Sequence, residues 1–136
     1  MDDFNKRLVL KQIEVMDEAD GKYRMQVTLS VKGNNYVGQA IGVKDSEDKL
    51  NTAAMATLEA VNAALDKQFT LSVKGVNASE TFEGLEETLL VVVVGIDDGE
   101  GEMITPGSCR NTGDSIDAVV KATLDATNRL VEANLS

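Results

Sequence analysis

The chain has 136 residues, 43% hydrophobic and only 4% aromatic, with a formal net charge of −10 and no histidine. That length suits one domain with an aliphatic core needing neither disulfide nor metal. The acidic balance repels phosphate backbones and anionic lipid, and the lack of histidine removes the commonest general base and metal ligand.

The opening stretch, MDDFNKRLVLKQ, places acids ahead of its bases and holds no apolar run of leader length. No stretch approaches the roughly 20 apolar residues of a membrane helix. The single cysteine, Cys109, excludes an internal disulfide and fits a reducing compartment. The expectation is a cytoplasmic protein with no nucleic-acid or membrane partner.

Leu8 to Met16 reads as a first strand of imperfect alternation. Asp17 to Gly21 is an acidic turn ending in Asp-Gly, a hairpin signal. Tyr23 to Val31 alternates cleanly. Tyr23, Met25, Val27, Leu29 and Val31 fall on one face and Arg24, Gln26, Thr28 and Ser30 on the other, as in a half-buried antiparallel strand. Gly33-Asn34-Asn35 reads as the next turn and Tyr36 to Val43 as a third strand, with Gly38 and Gly42 marking close backbone approach.

A helix follows from about Asp45–Glu47 to Asp66 or Lys67, capped by Asp45 or Ser46. Leu50, Ala53, Ala54, Thr57, Leu58, Val61 and Leu65 form its apolar stripe. The order then recurs. Phe69 to Val76 is a strand, Asn77 to Glu87 a polar connection, and Thr88 to Ile96 a strand apolar enough to be covered on both faces. Asp97 to Glu102 is a turn, and Met103 to Cys109 an edge strand carrying Pro106, the only proline. The last helix runs from Thr112 or Gly113 to about Glu132.

The order is therefore βββα twice, an α+β fold of antiparallel strands with two amphipathic helices packed on the sheet. The pseudo-repeats are about residues 7–67 and 68–136 of a single domain. Setting Ala56-Thr57-Leu58 on Ala122-Thr123-Leu124 also aligns Asp48 with Asp114, Leu50 with Ile116, Ala60 with Ala126 and Asn62 with Asn128. A duplication predicts this match together with the shared strand order, although two alanine-rich amphipathic helices can also match by chance.

Chemistry-bearing motifs are few. With no histidine, a Ser-His-Asp or Cys-His mechanism cannot be assembled, and one cysteine with carboxylates makes a poor zinc set. The DDGEGE run fails the calcium-loop pattern, and its acids repel phosphate. No metal, cofactor or catalytic residue is expected. The loop Ser108–Gly113 offers hydroxyls, Arg110, Asn111 and helix N–H groups that suit an anion or an amino-acid-like ligand. The tentative contacts are Ser108, Cys109, Arg110, Asn111 and Thr112, with Gly42 and Lys44 from the matching first-module loop. Ordinary capping by Thr112 or Asp114 accounts for the loop equally well. Cys109 reads either as a thiol activated by the helix end or as a small residue at a strand end. Asp117, Lys121, Asp125 and Arg129 form a charge ladder on one face of the last helix. Met55 replaces Lys121 at the equivalent place on the first helix, which points to a second covered face there.

Between Gly107 and Asn128, the residues Asp114, Ile116, Ala118, Ala122, Leu124, Ala126 and Asn128 stand at set spacings behind a glycine-bearing turn. The segment resembles the end of the C-terminal regulatory domain of isopropylmalate and citramalate synthases, a domain also built of two βββα modules. The first module departs from that family, with Lys44–Asp48 in place of a Gly-Pro-Val-Asp turn. The second lacks a further glycine where Cys109 or Arg110 stands, and the catalytic barrel has no counterpart. The resemblance implies dimerisation and a small effector, such as a branched-chain amino acid, near the module junction. The expected function is a non-enzymatic, homo-oligomerising regulatory domain with a small-molecule effector. The alternative is a protein-interaction or scaffold module without a ligand, using the Leu89–Val94 strand or the Met55 face.

Overall fold

The computed structural model describes residues 7–44, 48–80 and 88–135, apart from the side chains of Ser79 and Glu80. The expected caps Asp45 and Ser46, and the part of the polar connection beyond Glu80, lie outside the described residues.

Six strands and two helices run in the order β1 (Val9–Asp17), β2 (Lys22–Val31), β3 (Asn34–Val43), α1 (Lys49–Ala64), β4 (Thr70–Glu80), β5 (Thr88–Asp97), β6 (Glu102–Asn111) and α2 (Ser115–Asn134). They form two separate antiparallel sheets, β1-β2-β3 and β4-β5-β6, each followed by its helix. The fold is α+β, a duplicated βββα.

Local chemistry places the turns. Asp20 and Gly21 both take positive φ, as do Lys32 and Gly33. Lys32-Gly33 makes a two-residue connection whose twist suits an antiparallel hairpin, while Asp20-Gly21 closes a four-residue connection from Glu18 to Gly21. The second turn is therefore Lys32-Gly33, not Gly33-Asn34-Asn35. Asn34 and Asn35 instead pair with Val31 and Ser30 in the ladder. Pro106 stands in β6, an edge strand, opposite Val93, where its missing N–H costs no ladder bond.

Each helix lies on the inner face of its own sheet, α1 on β2 and β3 and α2 on β5 and β6. The helices also pack on each other, and α1 reaches across to β4. Both are consequently buried round most of their circumference. In α1, Thr52, Ala56 and Ala60 are buried beyond the predicted stripe. The core is aliphatic, with Met25, Val27, Leu29, Leu90, Val92 and Val94 fully buried under the helices. The buried Thr57 and Thr123 hydroxyls donate to the Ala53 and Val119 carbonyls at 2.7 Å, so they bring no unpaired polar atom into it.

The duplication extends well beyond the helices. Val27 faces Gly38 across sheet 1, as Val92 faces Gly107 across sheet 2. A Cβ on Gly38 would overlap the backbone of Ala56 and Ala60, and one on Gly107 that of Ala122 and Ala126. The glycines let each helix ride directly on its edge strand. The first strands share an irregularity too. The register shifts at Lys11, between Leu10 and Gln12, and at Lys74, between Val73 and Gly75.

These repeats also mark the sheet edges. The Gln39 N–H on β3 donates to Glu59 Oε1 at 3.2 Å, and the Ser108 N–H on β6 to Asp125 Oδ2 at 3.0 Å. Glu59 and Asp125 occupy matching helix positions. Edges β1 and β4 carry the lysine-bearing register shifts. Bulges, edge lysines and occupied N–H groups all oppose strand addition by another chain.

Candidate functional site

The residues singled out in the sequence divide between the two sheets. Ser108, Cys109, Arg110 and Asn111 belong to β6, paired with Val91, Leu90, Leu89 and Thr88, so most of the expected loop is strand. The alternation turns Cys109 inward toward α2 and Ser108 and Arg110 outward. Only Thr112 and Gly113 remain as a turn before α2. There the ordinary cap is in place. Asp114 is the N-cap and accepts the Asp117 N–H at 3.1 Å, while Asn111 Oδ1 accepts the Gly113 N–H at 3.4 Å. The chain's own side chains thus occupy donors that an anion would use.

Gly42 lies in sheet 1 opposite Tyr23, and a Cβ there would overlap the Tyr23 ring. Lys44 pairs with Asp17 at 3.2 Å. Gly42 belongs to sheet 1, with Lys44 in the turn just past it, and the Ser108–Asn111 group belongs to sheet 2, each sheet facing its own helix.

Burial raises the Cys109 thiol pKa. Lys121 opposes the shift, and Asp117 and Asp125 add to it. A thiol so placed is held protonated, the reverse of an activated nucleophile. Its equivalent in the first repeat, read from the pairing across each middle strand, is Ala40. Lys121 has a raised pKa because it donates a hydrogen bond to Asp117, whose charge also favours the ammonium form. Their ion pair, at 3.0 Å, is the first rung of the predicted ladder. Asp125 is turned instead to the β6 backbone.

A groove of about 420 Å³ lies at the module junction, where α1 meets β4. Asn51, Met55, Leu58, Glu59 and Asn62 line it from α1, and Leu71, Ser72 and Val73 from β4. Met55 is 48% exposed. Among the described lining residues, Glu59 is the one that carries a charge. Asn62 Nδ2 donates to the Phe69 carbonyl at 2.9 Å, while its Oδ1 is buried with no hydrogen-bond partner. The corresponding face of α2 carries Asp117 and Lys121, paired with each other. The repeats thus match where each helix meets its own sheet and diverge here. The substitution of Met55 for a lysine counterpart was visible in the sequence. The contribution of Leu71–Val73 was not, since it depends on how the second module docks.

Among the described residues, no group of three or more cysteine and carboxylate side chains could hold a metal ion. No helix among them is long and apolar enough to cross a membrane. No protein-family model matches the chain, and no curated protein matches it.

Proposed function

We propose that the chain is a non-catalytic, self-associating regulatory domain whose effector is a small apolar molecule carrying an amino group. The effector occupies the groove between α1 and β4. The observation that carries this reading is the groove itself, set where the two repeats differ. Its volume falls in the range of small-molecule sites. Met55, Leu58, Leu71 and Val73 offer an apolar wall to an aliphatic body. Glu59, with no cation among the described lining residues, selects an ammonium group over an anion. A ligand N–H would also satisfy the unpartnered Asn62 Oδ1. The resemblance of Gly107–Asn128 to a regulatory domain that binds amino acids points the same way. A ligand held by both modules would favour one arrangement of them, which is regulation by population shift.

A thermal-shift panel of aliphatic amino acids, the corresponding amines and the corresponding 2-keto acids tests the reading. Ligand at about 100 times its Kd adds roughly 2.7 kcal/mol of stability, a rise of several degrees in Tm. Amino compounds stabilise the wild type, keto acids do not, and Glu59→Gln removes the effect. Equal stabilisation by keto acids, or none by any compound, contradicts the proposal. The second reading, an interaction module without a ligand, draws on the apolar outer face of β5.

A further inference from the structure

Strand β5 is apolar on both sides. Leu90, Val92, Val94 and Ile96 point toward α2 and are buried. Leu89, Val91 and Val93 point the other way and are only half-buried. Beside them on β6 stand Pro106, opposite Val93, and Ile104, which is 53% exposed. Among the described residues no helix or strand packs against this outer face. A middle strand apolar on both sides is the pattern of a sheet covered on both sides.

Sheet 1 is an internal control. The matching pairs Val27–Gly38 and Val92–Gly107 put Gln26 at the place of Val91 and Thr28 at that of Val93. On its middle strand β2 the outer residues are polar and hydrogen-bonded, while the edge strand β3 exposes Val37, Ile41 and Val43 on the same face. Arg24 donates to Gln39 Oε1 at 3.1 Å and to Glu18 Oε1 at 3.0 Å, and Gln39 donates to Gln26 Oε1 at 2.9 Å. The same unit folds with polar outer residues on its middle strand, so its own core does not require the outer valines of β5.

We propose that a second copy of this chain docks on the outer face of sheet 2, sheet against sheet about a two-fold axis. The proposal rests on the reading of the chain as self-associating and adds the face that does it. Charge favours a second copy. Among the described residues of this face, Lys74 and Arg110 offset Asp97 and Glu102, with Lys74 and Glu102 paired at 2.9 Å. The chain as a whole carries −10, so this locally balanced face is where two copies meet with least repulsion. Among the described residues this face has no net charge to steer a strongly basic partner. Size agrees as well. Three strands spaced about 4.8 Å apart and about ten residues long cover roughly 500 Å² in projection. Corrugated side chains raise the accessible area toward the ~800 Å² per partner of a small stable interface. Glu59, Asp125 and the register shifts oppose strand addition at the edges, which favours association through a face. Two such faces pack with their strands nearly aligned, and the patch is self-complementary under the two-fold.

Sedimentation equilibrium on the full chain across the micromolar range tests this. The expected result is a reversible dimer with Kd on the order of micromolar. Val91→Lys weakens it by about tenfold or more, since the ammonium must be desolvated. Gln26→Lys, at the matching place on sheet 1, leaves it unchanged. Ile104→Lys repeats the test at a side chain already in solvent, should Val91→Lys fail to fold. A wild-type dimer unaffected by both lysines on sheet 2 overturns the face and leaves self-association standing. A wild type that stays monomeric throughout overturns both.

Discussion

Replacing Gly107 by alanine tests the duplicated architecture at its tightest point. The new Cβ would meet the Ala122 carbonyl oxygen and the Ala126 backbone, its distance to Ala126 Cα being 2.8 Å. These are backbone atoms of a helix buried on both flanks, so no side-chain rotation relieves the overlap. Helix α2 must lift from β6, opening its packing on Val92 and Val94. Overpacking of this kind costs about 1–3 kcal/mol, and a clash between two backbones belongs at the upper end. The lower entropy of the unfolded alanine chain returns roughly 0.4–1 kcal/mol. The net loss is about 2 kcal/mol, a fall in Tm of roughly 4–10 °C for a chain of this size. Gly38→Ala, against Ala56 and Ala60, should cost a similar amount. Gly75→Ala is the control, since its Cβ would meet nothing within 4 Å. The assay is urea denaturation of the three variants and the wild type at one protein concentration. If Gly107→Ala and Gly38→Ala prove as stable as Gly75→Ala, the helices do not ride on these strands as described.

Two further outcomes follow from the site geometry. Asp125→Ala frees the Ser108 N–H on an exposed edge, so it should cost about 1 kcal/mol in a denaturant melt and speed aggregation at high concentration. Unchanged stability and solubility would argue that this bond protects nothing. Cys109 has a raised pKa, so folding favours its protonated form. The stability it contributes is present below the ordinary thiol pKa and is lost as pH rises through the folded value. Its alkylation-rate profile should therefore have a midpoint above that of a free thiol, about 8.5, and Cys109→Ala should flatten the alkaline loss of stability. A midpoint at or below the free-thiol value would contradict the inward placement.

Much of the fold was legible because alternation and helical spacing report burial directly. The cleanest case is Tyr23 to Val31, whose five alternating apolar residues are all buried. The helix match from Asp48 to Asn62 proved to be part of a repeat that includes the Gly38 and Gly107 contacts. The shared shift at Lys11 and Lys74 stayed hidden, because an extra residue breaks the alternation by which a strand is recognised. The second hairpin was misplaced by one or two residues. Asn-Asn carries a turn signal, whereas the residue taking positive φ is Lys32, which advertises no such preference. Beyond the expected strand end at Cys109, the Arg110–Asn111 segment looked like a loop because its residues are polar. Pairing with the apolar end of β5 makes it strand, a tertiary effect that local composition does not carry. The edge clamps of Glu59 and Asp125 depend on where each helix crosses its sheet, so they too were out of reach.

The central claim is that the groove at the module junction, and not the Ser108–Thr112 segment, takes the effector. Backbone amide shift mapping during titration with an aliphatic amino acid tests it most directly. Saturable shifts are expected at Asn51, Met55, Glu59 and Asn62 on α1 and at Leu71–Val73 on β4. Shifts confined to Ser108–Thr112, or none at any residue, would contradict it.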